Sequence, residues 1–212
     1  MTFTPDLAAL DWNKGKGLLP AVVQDAESLR VLMLGYVSDE SLRATLASGF
    51  VTFFSRSRHC LWQKGETSGN RLKLVSWTYD CDADTLLIAA LPEGPVCHTG
   101  TATCFDRTPD RAPSVADLID LARTIRSRRT ASPDASYTAR LFQSGLSRMA
   151  QKVGEEGVEV ALAAATRAPN LADEAADLLY HLLVVLEASD LSLTDVLNVL
   201  AARAKKSRPS SD

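Results

Sequence analysis

The sequence predicts two domains in series, an α+β domain followed by an all-α one, and three observations carry that reading. Up to about residue 91 the apolar residues fall in short, strand-like segments set off by Gly, Pro, Asp and Ser. From residue 114 onward they recur three and four apart, the period of helices. Between the two runs lies "DRTPDRAPS", whose two prolines and alternating charges leave nothing to bury. A chain of 212 residues has room for one large core or two small ones, and 46% hydrophobic against 23% charged residues excludes wholesale disorder.

In chain order, "GLLPAVVQD" and "RVLMLGYV" read as the first strands. "SDESLRATLASG" then reads as a short helix, with Ser38 as N-cap, acids in its first turn and Gly49 at its C-terminal end. "FVTFFSRS", "RLKLVSWTYD" and "TLLIAAL" complete the strands. A boundary near 106–114 gives domains of 1–108 and 112–212. The second domain reads as helices in "SVADLIDLARTIRSRR", "ARLFQSGLSRMAQKVGEEGVEVALAAAT", "NLADEAADLLYHLLVVLEASD" and "SLTDVLNVLAARAKK". The end, "KKSRPSSD", reads as a frayed tail.

The formal charge is −3, with nine basic and twelve acidic residues in 1–106 and fourteen of each in 107–212. That balance offers no general attraction for nucleic acid. The first residues lack a basic start and an apolar run, and no apolar stretch reaches the roughly 18 residues of a membrane span. The expectation is a cytoplasmic protein with no membrane or nucleic-acid partner. In a reducing compartment, closely spaced cysteines serve as metal ligands or reactive thiols more readily than as disulfides.

"YDCDADTLLIAALPEGPVCHTGTATC" gathers three of the four cysteines and one of the three histidines. Residues two apart on a strand point the same way, so Asp80, Asp82 and Asp84 would share one face while Cys81 turns to the other. Three such carboxylates suit a hard cation such as Mg²⁺, whereas Cys81, Cys97 and Cys104 suit Zn²⁺. Three protein ligands leave a fourth position for water, the arrangement of a catalytic zinc. His98 reads either as a proton shuttle or as the fourth ligand. The bland alternative is a "DADT" turn with buried cysteines acting as small hydrophobes. Upstream, "SRSRHCLWQKGETSGNRLK" sets Arg56, Arg58, Lys64, Arg71 and Lys73 among Ser55, Ser57, Ser68, Gly69 and Asn70, which reads as a phosphate grip or a solvated basic loop. Cys60 has no partner at ligand spacing and reads as structural or incidental.

In "KVGEEGVEV", Glu155, Glu156 and Glu159 fall within little more than one helical turn, and "DEAADLLYHLL" repeats the device with Glu174 and Asp177. If those two helices are antiparallel neighbours, four carboxylates converge, and a divalent cation is the reason to bring them together. Val158, Val160, Ala161, Ala164, Leu178, Leu179, Leu182 and Leu183 mark expected core faces. A solvated acidic face is the alternative. His181 reads as a packed helix residue.

These runs resemble known families. "SRSRHCLWQKGETSGN", "DCDADTLL" and "GPVCHTGTATCF" resemble phosphoribosyl-AMP cyclohydrolase, while "SYTARLF", "KVGEEGVEV" and "EAADLLYHLLVVL" resemble phosphoribosyl-ATP pyrophosphohydrolase. In this order they resemble the bifunctional hydrolases of histidine biosynthesis. The resemblance implies zinc on Cys81, Cys97 and Cys104, Mg²⁺ on Asp80, Asp82 and Asp84, and His98 as acid/base. It implies substrate binding by Ser55, Arg56, Ser57, Arg58, Lys64, Glu66, Ser68, Gly69 and Asn70. It also implies a homodimer whose metal sites draw ligands from both subunits. For the second domain it implies the all-α NTP-pyrophosphohydrolase architecture, with Glu155, Glu156, Glu159, Glu174 and Asp177 as Mg²⁺ ligands and Lys152 meeting phosphate. The C-terminal site would act first on phosphoribosyl-ATP, and the zinc site would then open the adenine ring of phosphoribosyl-AMP. Two rivals remain at this stage: a zinc-stabilised binding module fused to a helical interaction domain, and a nucleotide pyrophosphohydrolase of broad range.

Overall fold

The computed structural model describes residues 5–106 and 112–206, so the centre of the expected linker and the last six residues of the tail lie outside the described residues. The chain divides into two compact units, Met1–Ala116 and Asp117–Asp212. Each has its own hydrophobic core.

In the first unit, β1 (Leu19–Asp25) alternates buried and half-buried residues, which sends Leu19, Ala21 and Val23 into the core. It pairs antiparallel with β2 (Val31–Val37) and parallel with β6 (Leu86–Pro92). Strand β5 (Leu72–Tyr79) pairs antiparallel with β6, giving the sheet order β2-β1-β6-β5. Helix α1 (Asp39–Ser48) begins where the sequence places it: Ser38 and Ser41 cap each other's backbone N–H, and Gly49 ends the helix in the left-handed region.

A second, two-stranded sheet pairs β3 (Thr52–Ser55) with β4 (Cys60–Gln63). Strand β4 was expected as part of a basic loop; Leu61 and Trp62 alone in a charged run give no readable alternation, and pairing with β3 makes it a strand. The hairpin is tied to the main sheet by Val51 N–H donating to Leu72 O at 2.9 Å and by Leu74 N–H donating to Gly49 O at 2.8 Å. Phe53 is fully buried against Gly35 of β2, where a Cβ would stand 2.4 Å from the ring. Its ring centre lies 5.8 Å from that of Trp62. Removing so enclosed a ring by Phe53→Ala would cost about 3–5 kcal/mol.

The second unit consists of α2 (Val115–Arg128, whose first residues belong to the first unit), α3 (Tyr137–Gln143), α4 (Leu146–Thr166), α5 (Leu171–Ala188) and α6 (Leu193–Lys206). The second helical segment, expected as one run, breaks at Gly145 with φ of +85°. A left-handed residue cannot continue an α-helix, so the chain restarts there as α4. Helices α4 and α5 pack as a hairpin around the 167–170 turn, and α3 closes on both. Ile125, Leu141, Met149, Leu183 and Val184 form the core, and the Tyr180 hydroxyl lies 2.8 Å from Thr138 Oγ1. Five expected core residues differ: Val158, Leu179 and Leu182 are 59%, 47% and 38% exposed, and Ala161 and Ala164 are exposed as well. A hairpin covered on one side leaves part of its apolar surface open within one chain, and α6 buries no residue. No described helix is long and apolar enough to cross a membrane.

Candidate active sites

A cavity of about 450 Å³ in the first unit is lined by Trp62, Lys64, Glu66, Ser68, Asn70, Cys97 and His98, among others. It brings expected substrate-binding residues together with expected zinc residues. After β4 the chain doubles back at Gly65, φ +85°, where a Cβ would stand 2.4 Å from the Asn70 backbone. Only glycine takes both that φ and that approach. Gly69 N–H closes the loop by donating to Gly65 O at 2.8 Å. Ser55, Arg56, Ser57 and Arg58 sit at the β3–β4 turn and are not among the lining residues. There Arg58 N–H donates to Ser55 Oγ at 3.3 Å, and the Arg56 guanidinium lies 3.7 Å from the Tyr36 ring centre.

Cys97 contributes a thiol to the cavity lining. Thr99 Oγ1 donates to its Sγ at 3.1 Å, and with the Thr99 backbone it pushes the thiol down to about 6, so Cys97 is a thiolate at neutral pH. Cys104 is near enough for the two thiols to influence each other's ionisation. Although the residue as a whole is exposed, partial desolvation pushes the Cys104 thiol up, and the Cys97 thiolate adds to the shift. His98 Nδ1 is 3.8 Å from Cys97 Sγ. Lys64, expected among the substrate-binding residues, is only 8% exposed. Burial pushes its ammonium down, opposed by the charges of Cys104 and Cys97. Among the described residues Cys81 does not join this pair in a three-ligand cluster; it lies on the exposed turn after β5. The Cys97 thiolate, the Cys104 thiol and the His98 imidazole are donor types that suit zinc, but among the described residues these three do not form a cluster with ligand atoms within 4.8 Å of one another either.

The Asp80, Asp82 and Asp84 run is a turn and not the expected strand, because β5 ends at Tyr79. Asp80 Oδ1 accepts from the backbone N–H of Asp84 and of Thr85, each at 3.1 Å, and Ala83 takes φ of +58°. Side-chain bonds of this kind compete with a sheet ladder and win where a short aspartate run ends a strand. The turn still brings one carboxylate oxygen from each aspartate within 4.8 Å of the others. Lys14 Nζ lies 2.6 Å from Asp82 Oδ2 and 3.4 Å from Asp84 Oδ2. Its segment is anchored by Asp11 N–H, which donates to Ala83 O at 2.9 Å. The cluster fits a hard cation and already holds an ammonium.

In the second unit, carboxylate oxygens of Glu156, Glu159 and Glu174 lie within 4.8 Å of one another, across α4 and α5. Glu156 is 6% exposed and accepts from Lys152 Nζ at 2.9 Å, a contact that holds its carboxyl below the usual range. Glu159 is pushed the other way by the charge of Glu156 and by Glu174. Crowding of this kind is what a divalent cation relieves, so the cluster fits Mg²⁺. Glu155 and Asp177 stand outside that three-residue group. Glu155 instead accepts from Gln151, Lys152 and Arg148, and Asp177 is exposed. His181 is 5% exposed with Nε2 3.7 Å from Glu156 Oε1, and burial pushes its imidazole down.

Three participants escaped sequence reasoning. Thr99 carried a usable signal, a hydroxyl two residues from a cysteine. Arg148 carried another, four residues before Lys152. Lys14 carried none, because 68 residues separate it from Asp82.

Comparison with known proteins gives each unit its counterpart. The phosphoribosyl-AMP cyclohydrolase family matches residues 33–106 and the phosphoribosyl-ATP pyrophosphohydrolase family residues 118–204. Among similar proteins, each named "Histidine biosynthesis bifunctional protein HisIE", that of Xanthomonas campestris pv. campestris is 53% identical over 200 residues, covering 94% of this chain and 95% of that one. That of Shewanella oneidensis is 53% identical over 204 residues, covering 96% and 95%. That of Vibrio vulnificus is 52% identical over 197 residues, covering 92% and 93%. With both family matches in this order and relatives aligned over almost their whole length, the chain belongs to the bifunctional enzymes of histidine biosynthesis that join a phosphoribosyl-AMP cyclohydrolase to a phosphoribosyl-ATP pyrophosphohydrolase.

Proposed function

We propose that the two units carry out consecutive hydrolyses, the second unit first. There phosphoribosyl-ATP is held at the Glu156, Glu159 and Glu174 cluster with Asp177 nearby on α5, water is consumed, and the bond between the α and β phosphates breaks to release pyrophosphate. Mg²⁺ at the acids would neutralise the triphosphate and polarise its phosphoryl oxygens. Lys152, anchored between Glu155 and Glu156, supplies a fixed positive charge beside that phosphate chain.

Phosphoribosyl-AMP then enters the first unit's cavity. Its N1-ribosylated ring is positively charged, which makes C6 electrophilic. Lys64, Ser68, Gly69 and Asn70, with Arg56 and Arg58 of the β3–β4 turn, take its phosphates, and Glu66 takes polar groups of the nucleotide. Zinc held by Cys97, Cys104 and a third cysteine would supply a nucleophile at neutral pH by lowering the pKa of water. Water adds at C6, the N1–C6 bond opens, and His98 delivers a proton to N1 to give the formimino-carboxamide ribotide. In this reading the third sulfur is Cys81 of a second copy, as the resemblance to the family implies, and among the described residues Cys81 joins no three-ligand cluster within its own chain. A homodimer would also cover the apolar surface left open on α4 and α5. Mg²⁺ at Asp80, Asp82 and Asp84 and a cytoplasmic location complete the proposal.

The observation that carries this reading is the cavity in which Lys64, Glu66, Ser68 and Asn70 meet Cys97 and His98. Its test is product analysis with phosphoribosyl-ATP, Mg²⁺ and Zn²⁺, on the full chain and on fragments 1–108 and 112–212. Two sequential products from the full chain, and one reaction from each fragment, are expected. Pyrophosphate release without ring opening would reduce the first unit to a binding module.

A further inference from the structure

We propose that Arg148 grips the far phosphate of the leaving pyrophosphate and thereby makes the second unit select a triphosphate over a diphosphate. The proposal rests on the reading of Glu156, Glu159 and Glu174 as the metal end of that site.

Helix α4 carries Arg148, Lys152, Glu156 and Glu159 at spacings of four, four and three residues, so the four side chains form one stripe along its length. The stripe changes sign once: two cations precede two acids. Lys152 Nζ is 2.9 Å from Glu156 Oε1, so it abuts the carboxylate cluster. Arg148 stands four residues further along, about 6 Å on the helix axis.

Glu155 holds the cations in place. Its Oε2 accepts from Lys152 at 2.9 Å, while its Oε1 accepts from Arg148 Nη1 at 3.3 Å and from Gln151 Nε2 at 2.8 Å. It stands outside the three-carboxylate cluster. Glu155 is therefore a positioning residue shared by both cations, and with Glu156 engaged by the metal it is one carboxylate against two cations.

A polyphosphate anchored at the acidic end presents its successive anionic groups along this stripe. Lys152 meets the nearer group and Arg148 the farther. Of the two products only pyrophosphate has a second phosphate in line, so the reach of Arg148 matches the leaving half of the substrate. The guanidinium fork can take two oxygens of one phosphate, a geometry that an ammonium does not provide. Arg148 is also half exposed, so its head is free to exchange Glu155 for a more highly charged ligand.

The test measures binding of inorganic pyrophosphate to the full-length protein in Mg²⁺ by calorimetry, alongside kcat/KM for phosphoribosyl-ATP and phosphoribosyl-ADP. Arg148→Ala should weaken pyrophosphate binding about tenfold or more, the loss of a charge-assisted contact. It should narrow the preference for the triphosphate by a similar factor, and Arg148→Lys should recover part of both. Ring opening of supplied phosphoribosyl-AMP reports on the first unit only, so far-ultraviolet circular dichroism of the helices reports that the second unit is folded. Mn²⁺ binding, read by electron paramagnetic resonance as the signal lost in Glu159→Gln, reports on the carboxylate cluster. Unchanged pyrophosphate affinity with normal Mn²⁺ binding overturns the role of Arg148 alone. Equal losses for the triphosphate and the diphosphate also overturn it, because Arg148 would then serve a part common to both. A parent protein binding neither Mn²⁺ nor pyrophosphate overturns the metal reading and this proposal together.

Discussion

Thr99 Oγ1 donates to Cys97 Sγ at 3.1 Å, and this contact makes Cys97 a thiolate at neutral pH. The relationship predicts a reactivity profile. In metal-stripped protein, alkylation of Cys97 by iodoacetamide, followed by peptide mass spectrometry, should be half-maximal near pH 6, against about 8.5 for an ordinary thiol. Thr99→Val keeps the shape and removes the hydroxyl, so the midpoint should move upward. An unmoved midpoint would show that the hydroxyl is not the cause.

Lys14 Nζ and any divalent ion at Asp82 and Asp84 compete for the same oxygens. Lys14→Met should therefore tighten Mg²⁺ or Mn²⁺ binding at this turn by roughly two- to fivefold, the size of an exposed ion pair. Calorimetry on a variant whose second-unit cluster is disabled by Glu159→Gln isolates the effect. Weaker metal binding in Lys14→Met would mean that the lysine organises the site instead of filling it.

Glu159 and Glu156 predict opposite pH effects on the metal-free second unit. Glu159, raised by its acidic neighbours, contributes stability below its unfolded pKa that is lost as pH rises through its folded one. Glu156, lowered by Lys152, contributes stability above its unfolded pKa that is lost as pH falls through its folded one. Glu159→Gln should therefore raise Tm at pH 7 without metal and abolish most of the gain from Mg²⁺. In the parent, Mg²⁺ at tenfold its Kd should add about 1.4 kcal/mol, or roughly 6–11 °C for a domain of this size. Differential scanning calorimetry with and without Mg²⁺ checks both.

His98 Nδ1 lies 3.8 Å from Cys97 Sγ, a position open to either role foreseen for it. As the proton-transfer residue, His98→Ala should keep zinc near the parent level and slow ring opening by about 10²–10⁴-fold. Cys97→Ser and Cys104→Ala should lose zinc and ring opening together, with pyrophosphate release intact in all three. A zinc-free His98→Ala protein by metal analysis would make the histidine a ligand.

What the sequence by itself determined was what local patterns encode. Apolar periodicity separated the α+β unit from the helical one, and Ser38 and Gly49 marked the ends of α1 because capping is settled within a few residues. The same locality made Glu156 and Glu159 neighbours, one helical turn apart. Tertiary structure decided what depends on distant partners. Strand β4 exists through its pairing with β3, since its own residues carry too weak a pattern. The "DCDAD" run could not announce whether it would be strand or turn, because the bonds that Asp80 Oδ1 accepts from the backbone N–H of Asp84 and Thr85 outweigh strand alternation only once β5 has ended. Lys14 reached Asp82 because the fold closes a long loop, and no periodicity reports such a contact. Glu155 and Glu156, adjacent in sequence, took different roles because successive helix positions point about 100° apart. One of them faces α5 beside His181, and the other the Arg148 turn of its own helix.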